Sequence, residues 1–211
     1  MTHLTPKVLQ ALEFASIAHK GQMRKFPGNV PYISHLAAVA LILSQAGYGE
    51  DVVVAGILHD VIEDTPFKGD DILENFGEQA YQLVVAVTEN KSLPWADRKE
   101  KYLRQIETAP IEAKAISAAD LLANRLSNLL GLRRGENPWI RFSKQPVEYA
   151  RRIFEIDQKR LEIIKKAGPP TGPGSSSGVP FIGELESVMR EVEDLSWQML
   201  ENYQPPIIGG Q

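Results

Sequence analysis

Residues 50–66 read EDVVVAGILHDVIEDTP, and the segment LHDVIEDT at 58–65 decides the fold. The segment has helical length and ends at Pro66, a residue that stops helices. The valines at 52–54 are compatible with a strand, but no second β-rich run exists to pair with them. A third helix over about 50–64 is therefore expected. On an α-helix, residues four apart share a face. His59 then stacks with Glu63, and Asp60 with Asp64. One turn offers a nitrogen and an oxygen ligand, and the next offers two carboxylates suited to handling a water or a proton. Leu58 and Val61 embed the pair in an apolar surface, where ionisable groups are costly unless paired or liganded.

Helical periodicity extends in both directions. Thr5 caps a first helix opening at Pro6 and ending at Gly21. A loop over 21–31 carries Arg24, Lys25, Gly28 and two prolines. Further helices are expected at 33–46, 70–75, 78–88, 96–107, 111–130 and 145–167, with GLRRGENP at 131–138 as a turn. The stretch GPPTGPGSSSGVP at 168–180 cannot support helix and reads as a linker. Beyond it, Leu185, Val188, Val192, Leu195 and Met199 form the apolar face of a last helix over 182–203. Such a helix needs a partner, either the domain itself or a second subunit. The expected organisation is an all-α domain of about eight helices at 1–167, a flexible linker at 168–181, an amphipathic helix at 182–203 and a disordered tail at 204–211.

The 211 residues carry a net charge of −4 and no cysteine. Disulfides, thiolate metal sites and a cysteine nucleophile are excluded. The acidic balance argues against a nucleic-acid-coating role. No stretch approaches the ~18 consecutive apolar residues of a membrane span, and the N-terminus lacks a signal-peptide pattern. A cytoplasmic location without nucleic-acid or membrane partners is expected.

Four positions on expected helices suit a metal: His35, His59, Asp60 and Asp120. Mixed nitrogen and oxygen donors favour manganese, iron or zinc over calcium. Glu63 and Asp64 are placed to orient a water or move its proton. Asn124, four residues after Asp120, shares its face and can fix that carboxylate or bind substrate. Arg24 and Lys25 on their loop can meet a base or a phosphate. Lys91 and Arg125 are weaker candidates of the same kind.

The ordered pattern of His35, then His59-Asp60, then Asp120 resembles the HD superfamily of metal-dependent phosphohydrolases. More narrowly, the chain is similar to the hydrolase domain of RelA/SpoT-type enzymes and the small stand-alone hydrolases of guanosine tetraphosphate. The resemblance spans about residues 9–130. It rests on AHKGQMRK (18–25), PYISHLAAVA (31–40), AGILHDVIEDT (55–65), FGEQAYQLVVAVTENKSLP (76–94) and AADLLAN (118–124). It implies an HD-domain helical bundle and a manganese ion, or another divalent ion such as iron, zinc or magnesium, held by His35, His59, Asp60 and Asp120. It implies that Glu63 and Asp64 act on the attacking water, and that Arg24, Lys25 and Asn124 line the nucleotide pocket. The activity implied is hydrolysis of a phosphorylated guanine nucleotide, guanosine tetra- or pentaphosphate, to GDP or GTP and pyrophosphate. Two alternatives stand beside it: a hydrolase of another nucleotide, such as the 2′-phosphate of NADPH, and a non-catalytic nucleotide sensor. A homo-oligomer through the last helix is a further expectation.

Three departures from the family pattern bear on substrate. Ser117 stands where the family usually has a lysine, three residues before the last ligand. Leu121 stands where a basic residue often follows that ligand. The loop FPGNVPY at 26–32 is longer than the common form.

Overall fold

Apolar side chains at helical spacing bury themselves against one another throughout the chain, and the result is all-α. The computed structural model describes residues 4–26, 28–142, 144–167, 178–201 and 203. Among these, the only β-type pairing is an isolated bridge between Met23 and Pro31. Helix α1 (Pro6–Ala18) starts as expected: the Thr5 hydroxyl accepts from the Val8 N–H at 3.2 Å, and Pro6 occupies the first turn. Helices α2 (Ile33–Gln45) and α3 (Glu50–Leu58) follow. The valines at 52–54 are helical and buried.

The expected single helix over 50–64 is two helices. α3 ends at Leu58, and α4 (Val61–Asp64) begins after a turn at His59 and Asp60. Asp60 sits at φ −95°, ψ −5°, the conformation of a tight turn rather than a helix interior. The turn places His59 and Asp60 side by side at the end of the buried helix, and Glu63 and Asp64 follow on a separate short helix rather than on the next turn of the same one.

Helix α5 (Gly69–Val87) is broken at Gly77, whose φ of 82° is open to glycine at no steric cost, so the two helices expected on either side of it abut. Helices α6 (Trp95–Thr108) and α7 (Ile111–Arg133) are followed by a short helix that periodicity did not reveal, α8 (Pro138–Phe142). Its Trp139 is 1% exposed and packs edge-on against Phe154 of α9 (Pro146–Lys165) at 5.0 Å between ring centroids.

Helix α3 occupies the centre, touching α1, α2, α5 and α7. Gly56 permits its closest approach: a Cβ there would lie 2.4 Å from Leu43 Cδ1 of α2. A second close approach fixes the loop after α1. Phe26, 3% exposed, rests on Gly131 of α7, where a Cβ would fall 2.1 Å from its ring. Backbone hydrogen bonds from Arg24 N to Val30 O and from Tyr32 N to Gln22 O close the base of the loop. Asn29 takes the left-handed conformation within this loop.

The last helix, α10 (Ile182–Glu201), folds back on α7 and α9. Leu185, Val188, Val192 and Leu200 are buried; Leu195 and Met199, expected on the same stripe, are only partly so. The seam ends on Ser196 and Leu200 instead. The linker residues 168–177 and the tail from 204 lie outside the described residues. Val192→Asp would place a carboxylate at a fully buried position of this seam. We expect a loss of stability on the order of 3 kcal/mol or more, measured by urea unfolding; an unchanged midpoint would show that α10 contributes nothing by docking.

Candidate metal and nucleotide site

The turn after α3 brings His59 and Asp60 against residues from two other helices. His35 reaches in from the first turn of α2, and Asp120 from the middle of α7. Asp120 Oδ1 lies 3.2 Å from His35 Nε2 and 3.7 Å from His59 Nε2. Asp60 Oδ2 lies 3.1 Å from His59 Nε2 and 3.9 Å from His35 Nε2. The four metal-site candidates from the sequence are thus brought together.

The donor atoms fit a divalent ion. The His59 Nδ1–H donates to Gly56 O at 2.8 Å, which leaves Nε2 to face the carboxylates. That Nε2 is buried and makes no hydrogen bond. An imidazole fixed through one nitrogen with the other aimed at carboxylates is the usual posture of a metal ligand. The donor atoms of His35, His59 and Asp120 lie within 4.8 Å of one another. Donors bound about 2.1 Å from a common ion stand at most about 4.2 Å apart, so at most a small inward movement closes the set.

Without an ion, the cluster's charges act on each other. Burial pulls the His59 imidazolium down, but Asp60 and Asp120 outweigh it and hold its pKa well above the ordinary value. His35, also buried, is lowered. Both carboxylates are pulled well below their usual range against the cost of burial, Asp60 by the neighbouring His59, and Asp120 by the two imidazoles beside it and by Arg160. A divalent ion held by these residues would compete with a proton for the imidazole nitrogens, so its binding would be favoured by rising pH.

Each carboxylate is held by further side chains. The Tyr32 hydroxyl donates to Asp60 Oδ2 at 2.5 Å, and His19 stacks on the Tyr32 ring. Asn124 Nδ2 donates to Asp120 Oδ1 at 2.7 Å, while its Oδ1 accepts from Arg24 Nη2 at 2.7 Å. The loop cation is thereby linked through one amide to the cluster. Lys25 is exposed at the rim.

Glu63 and Asp64 face the same cavity from α4. Burial and the neighbouring Asp60 raise the Glu63 carboxyl above its usual pKa. Glu63 Oε2 accepts from the Glu89 N–H at 3.0 Å, and Lys91 pairs with Asp64 and lies 3.5 Å from Glu63. Glu89 is clamped by Arg98 at 2.9 Å and Lys99 at 2.5 Å. The polar connection after α5 is therefore a wall of the site. Arg125 sits at the far end, buried and paired with Asp157, its guanidinium 5.8 Å from the Trp139 ring centroid.

These groups line a cavity of about 500 Å³, within the range of small-molecule sites. Sequence reasoning missed Tyr32, Trp139, Asp157 and Arg160, all of which line it. Tyr32 was within reach: it stands three residues before His35, one helical turn away. Arg160 was not, because it lies on α9, forty residues beyond Asp120, with no motif around it.

A family model described as an HD domain matches residues 11–129. The chain belongs to the HD-domain family. It is 39% identical over 120 residues to the mouse guanosine-3′,5′-bis(diphosphate) 3′-pyrophosphohydrolase MESH1, covering 56% of this chain and 67% of that protein. It is 30% identical over 150 residues to the guanosine-3′,5′-bis(diphosphate) 3′-pyrophosphohydrolase of Aquifex aeolicus, covering 71% of this chain but 20% of that protein. Among solved structures, a metazoan ortholog of SpoT described as hydrolysing ppGpp superposes with a TM-score of 0.72 at 27% identity, over 90% of this chain and 98% of the other. HD phosphohydrolases are metal-dependent, and the His35, His59, Asp120 group suits that dependence. Among the described residues, no helix is long and apolar enough to cross a membrane.

Divalent-ion binding to this cluster should stabilise the fold by mass action, by about 2.7 kcal/mol at a hundredfold excess over Kd. We expect the thermal midpoint to rise by about 5–10 °C on adding manganese, and His59→Ala to abolish the rise. An equal rise in both proteins would place the ion elsewhere.

Proposed function

We propose that this protein is a metal-dependent guanosine-3′,5′-bis(diphosphate) 3′-pyrophosphohydrolase. The observation that carries the reading is the juxtaposition of the His35, His59, Asp60 and Asp120 cluster with the acid pair Glu63 and Asp64 in one cation-rimmed cavity. The similarity to MESH1 and to the ppGpp-hydrolysing SpoT ortholog supports the same substrate. Manganese is the ion we assign, because mixed imidazole and carboxylate donors with open positions suit it. When bound, such an ion supplies Lewis acidity toward a phosphoryl oxygen and lowers the pKa of a water.

The chain's own residues do the rest. Arg24, Lys25 and Lys91 offer positive charge to the phosphates at the cavity rim. Glu63, its carboxyl raised by burial, is matched to accept a proton from the attacking water. Water adds to the phosphorus attached to the ribose 3′ oxygen, and the bond from that phosphorus to the 3′ oxygen breaks. The 3′ oxygen takes up a proton, giving GDP from the tetraphosphate or GTP from the pentaphosphate, with pyrophosphate as the second product.

The test is a nucleotide panel assayed with added manganese, with pyrophosphate release read directly. Turnover of guanosine tetraphosphate supports the proposal. Turnover of another nucleotide such as NADPH with none of the tetraphosphate would assign a different substrate, and binding without any turnover would make the domain a sensor. Two substitutions separate the roles. Asp60→Ala should lose metal and activity together. Glu63→Gln should keep the metal and lose about 10²- to 10⁴-fold in kcat; normal turnover in that variant would refute its role as proton acceptor.

A further inference from the structure

The cluster needs Asp120 turned correctly, and one buried cation reaches it from outside the family-matched segment. Arg160 of α9 is 8% exposed. Its Nε donates to Ser117 Oγ at 2.7 Å, and its Nη2 donates to Ser117 O and, at 3.0 Å, to Asp120 Oδ2. The guanidinium lies over Tyr102, 5.3 Å from the ring centroid, and the Tyr102 hydroxyl meets Ser117 Oγ at 3.0 Å. A cation is not buried without compensation, and here its hydrogen bonds to Ser117 and Asp120 direct it at one turn of α7.

We propose that Arg160 is a positioning residue for Asp120, supplying from α9 the cation that position 117 does not supply from α7. The inference rests on the reading that the cluster holds a divalent ion. Asp120 has two oxygens with separate tasks. Oδ1 faces His35 and takes the Asn124 amide, and Oδ2 is held by Arg160. Gripping Oδ2 keeps the carboxylate from rotating, so that Oδ1 stays turned toward the imidazoles. Ser117 and Asp120 are three residues apart on α7 and hence neighbours on its surface. A lysine at 117 would extend into the volume that the guanidinium fills. The serine instead leaves that volume open and offers a hydroxyl and a carbonyl to hold the arginine. The two cations are spatial alternatives, one from each helix.

Exclusivity makes the proposal testable by exchange. Manganese affinity of the ion-free protein is measured by calorimetry, with no nucleotide present, for the unaltered chain, Arg160→Met, Ser117→Lys, and the Ser117→Lys/Arg160→Met pair. Arg160→Met should weaken manganese binding about 10- to 100-fold, the usual effect of losing a partner that orients a ligand. The double variant should regain most of that loss. Ser117→Lys alone, crowding two cations onto one carboxylate, should lower the unfolding midpoint more than the double variant does, a coupling that a double-mutant cycle isolates. Unchanged affinity in Arg160→Met overturns the proposal, and so does a folded double variant that stays weak. If Arg160→Met does not fold, the double variant decides alone: affinity near that of the unaltered chain supports the exchange, and weak binding overturns it. Because no substrate enters this measurement, the affinities can follow the exchange even if guanosine tetraphosphate is not turned over, and that result would sink the functional reading alone.

Discussion

The attraction between the His59 imidazole and the carboxylates of Asp60 and Asp120 is the interaction around which the rest of the molecule is arranged. These groups stand at the end of α3, whose residues from Val52 to Leu58 are all buried. Charges in such a place are strongly unfavourable alone and strongly coupled together. The fold answers with oppositely charged or hydrogen-bonding partners from separate helices, and each partner constrains where its helix can lie. α2 must approach closely enough for His35 to meet Asp120, and Gly56 permits that approach. α9 must lie where Arg160 can reach Asp120 Oδ2.

The same logic extends outward in alternating charge. The carboxylates of the cluster are followed by Arg24, joined through Asn124, and by Arg160. The second pair of acids, Glu63 and Asp64, is met by Lys91, and Glu89 by Arg98 and Lys99. A chain of net charge −4 thus places seven of its 23 lysines and arginines at one cavity. An arrangement of this kind favours a ligand carrying several negative charges, which can replace internal carboxylates as partners of the rim cations.

Much of this was legible in the sequence because the decisive residues stand in short motifs on periodic helices. The all-α class, the cap at Thr5, the break at Gly77 and the four metal-site candidates follow from spacing and residue type. The turn at His59 and Asp60 did not follow, because both residues keep right-handed dihedrals and the hydrophobic period runs on across them. α8 is too short to show a period, and its apolar Trp139 reads as an isolated residue until it is seen against Phe154. Arg160 and Asp157 sit on an exposed-looking, highly charged helix. Only the packing of α9 against α6 and α7 shows that these two of its charges point inward. The register of α10 drifted for a related reason: the groove between α7 and α9, not the strongest apolar stripe, determines which residues are covered.

Ser117, Asp120, Asn124, Asn128 and Gly131 follow one another on α7 at intervals of three or four residues. The first four line the cavity, and the last receives Phe26. One ridge of one helix therefore carries the seat of Arg160, a metal-site carboxylate, the link to Arg24 and the anchor of the loop that bears it. A single residue inserted or deleted within this ridge would turn everything beyond it by about 100°, detaching the loop from the cluster in one step. A change of length in the 26–32 loop costs little, whereas one along this part of α7 does not leave the site intact. Its length is as much a part of the site as any side chain on it.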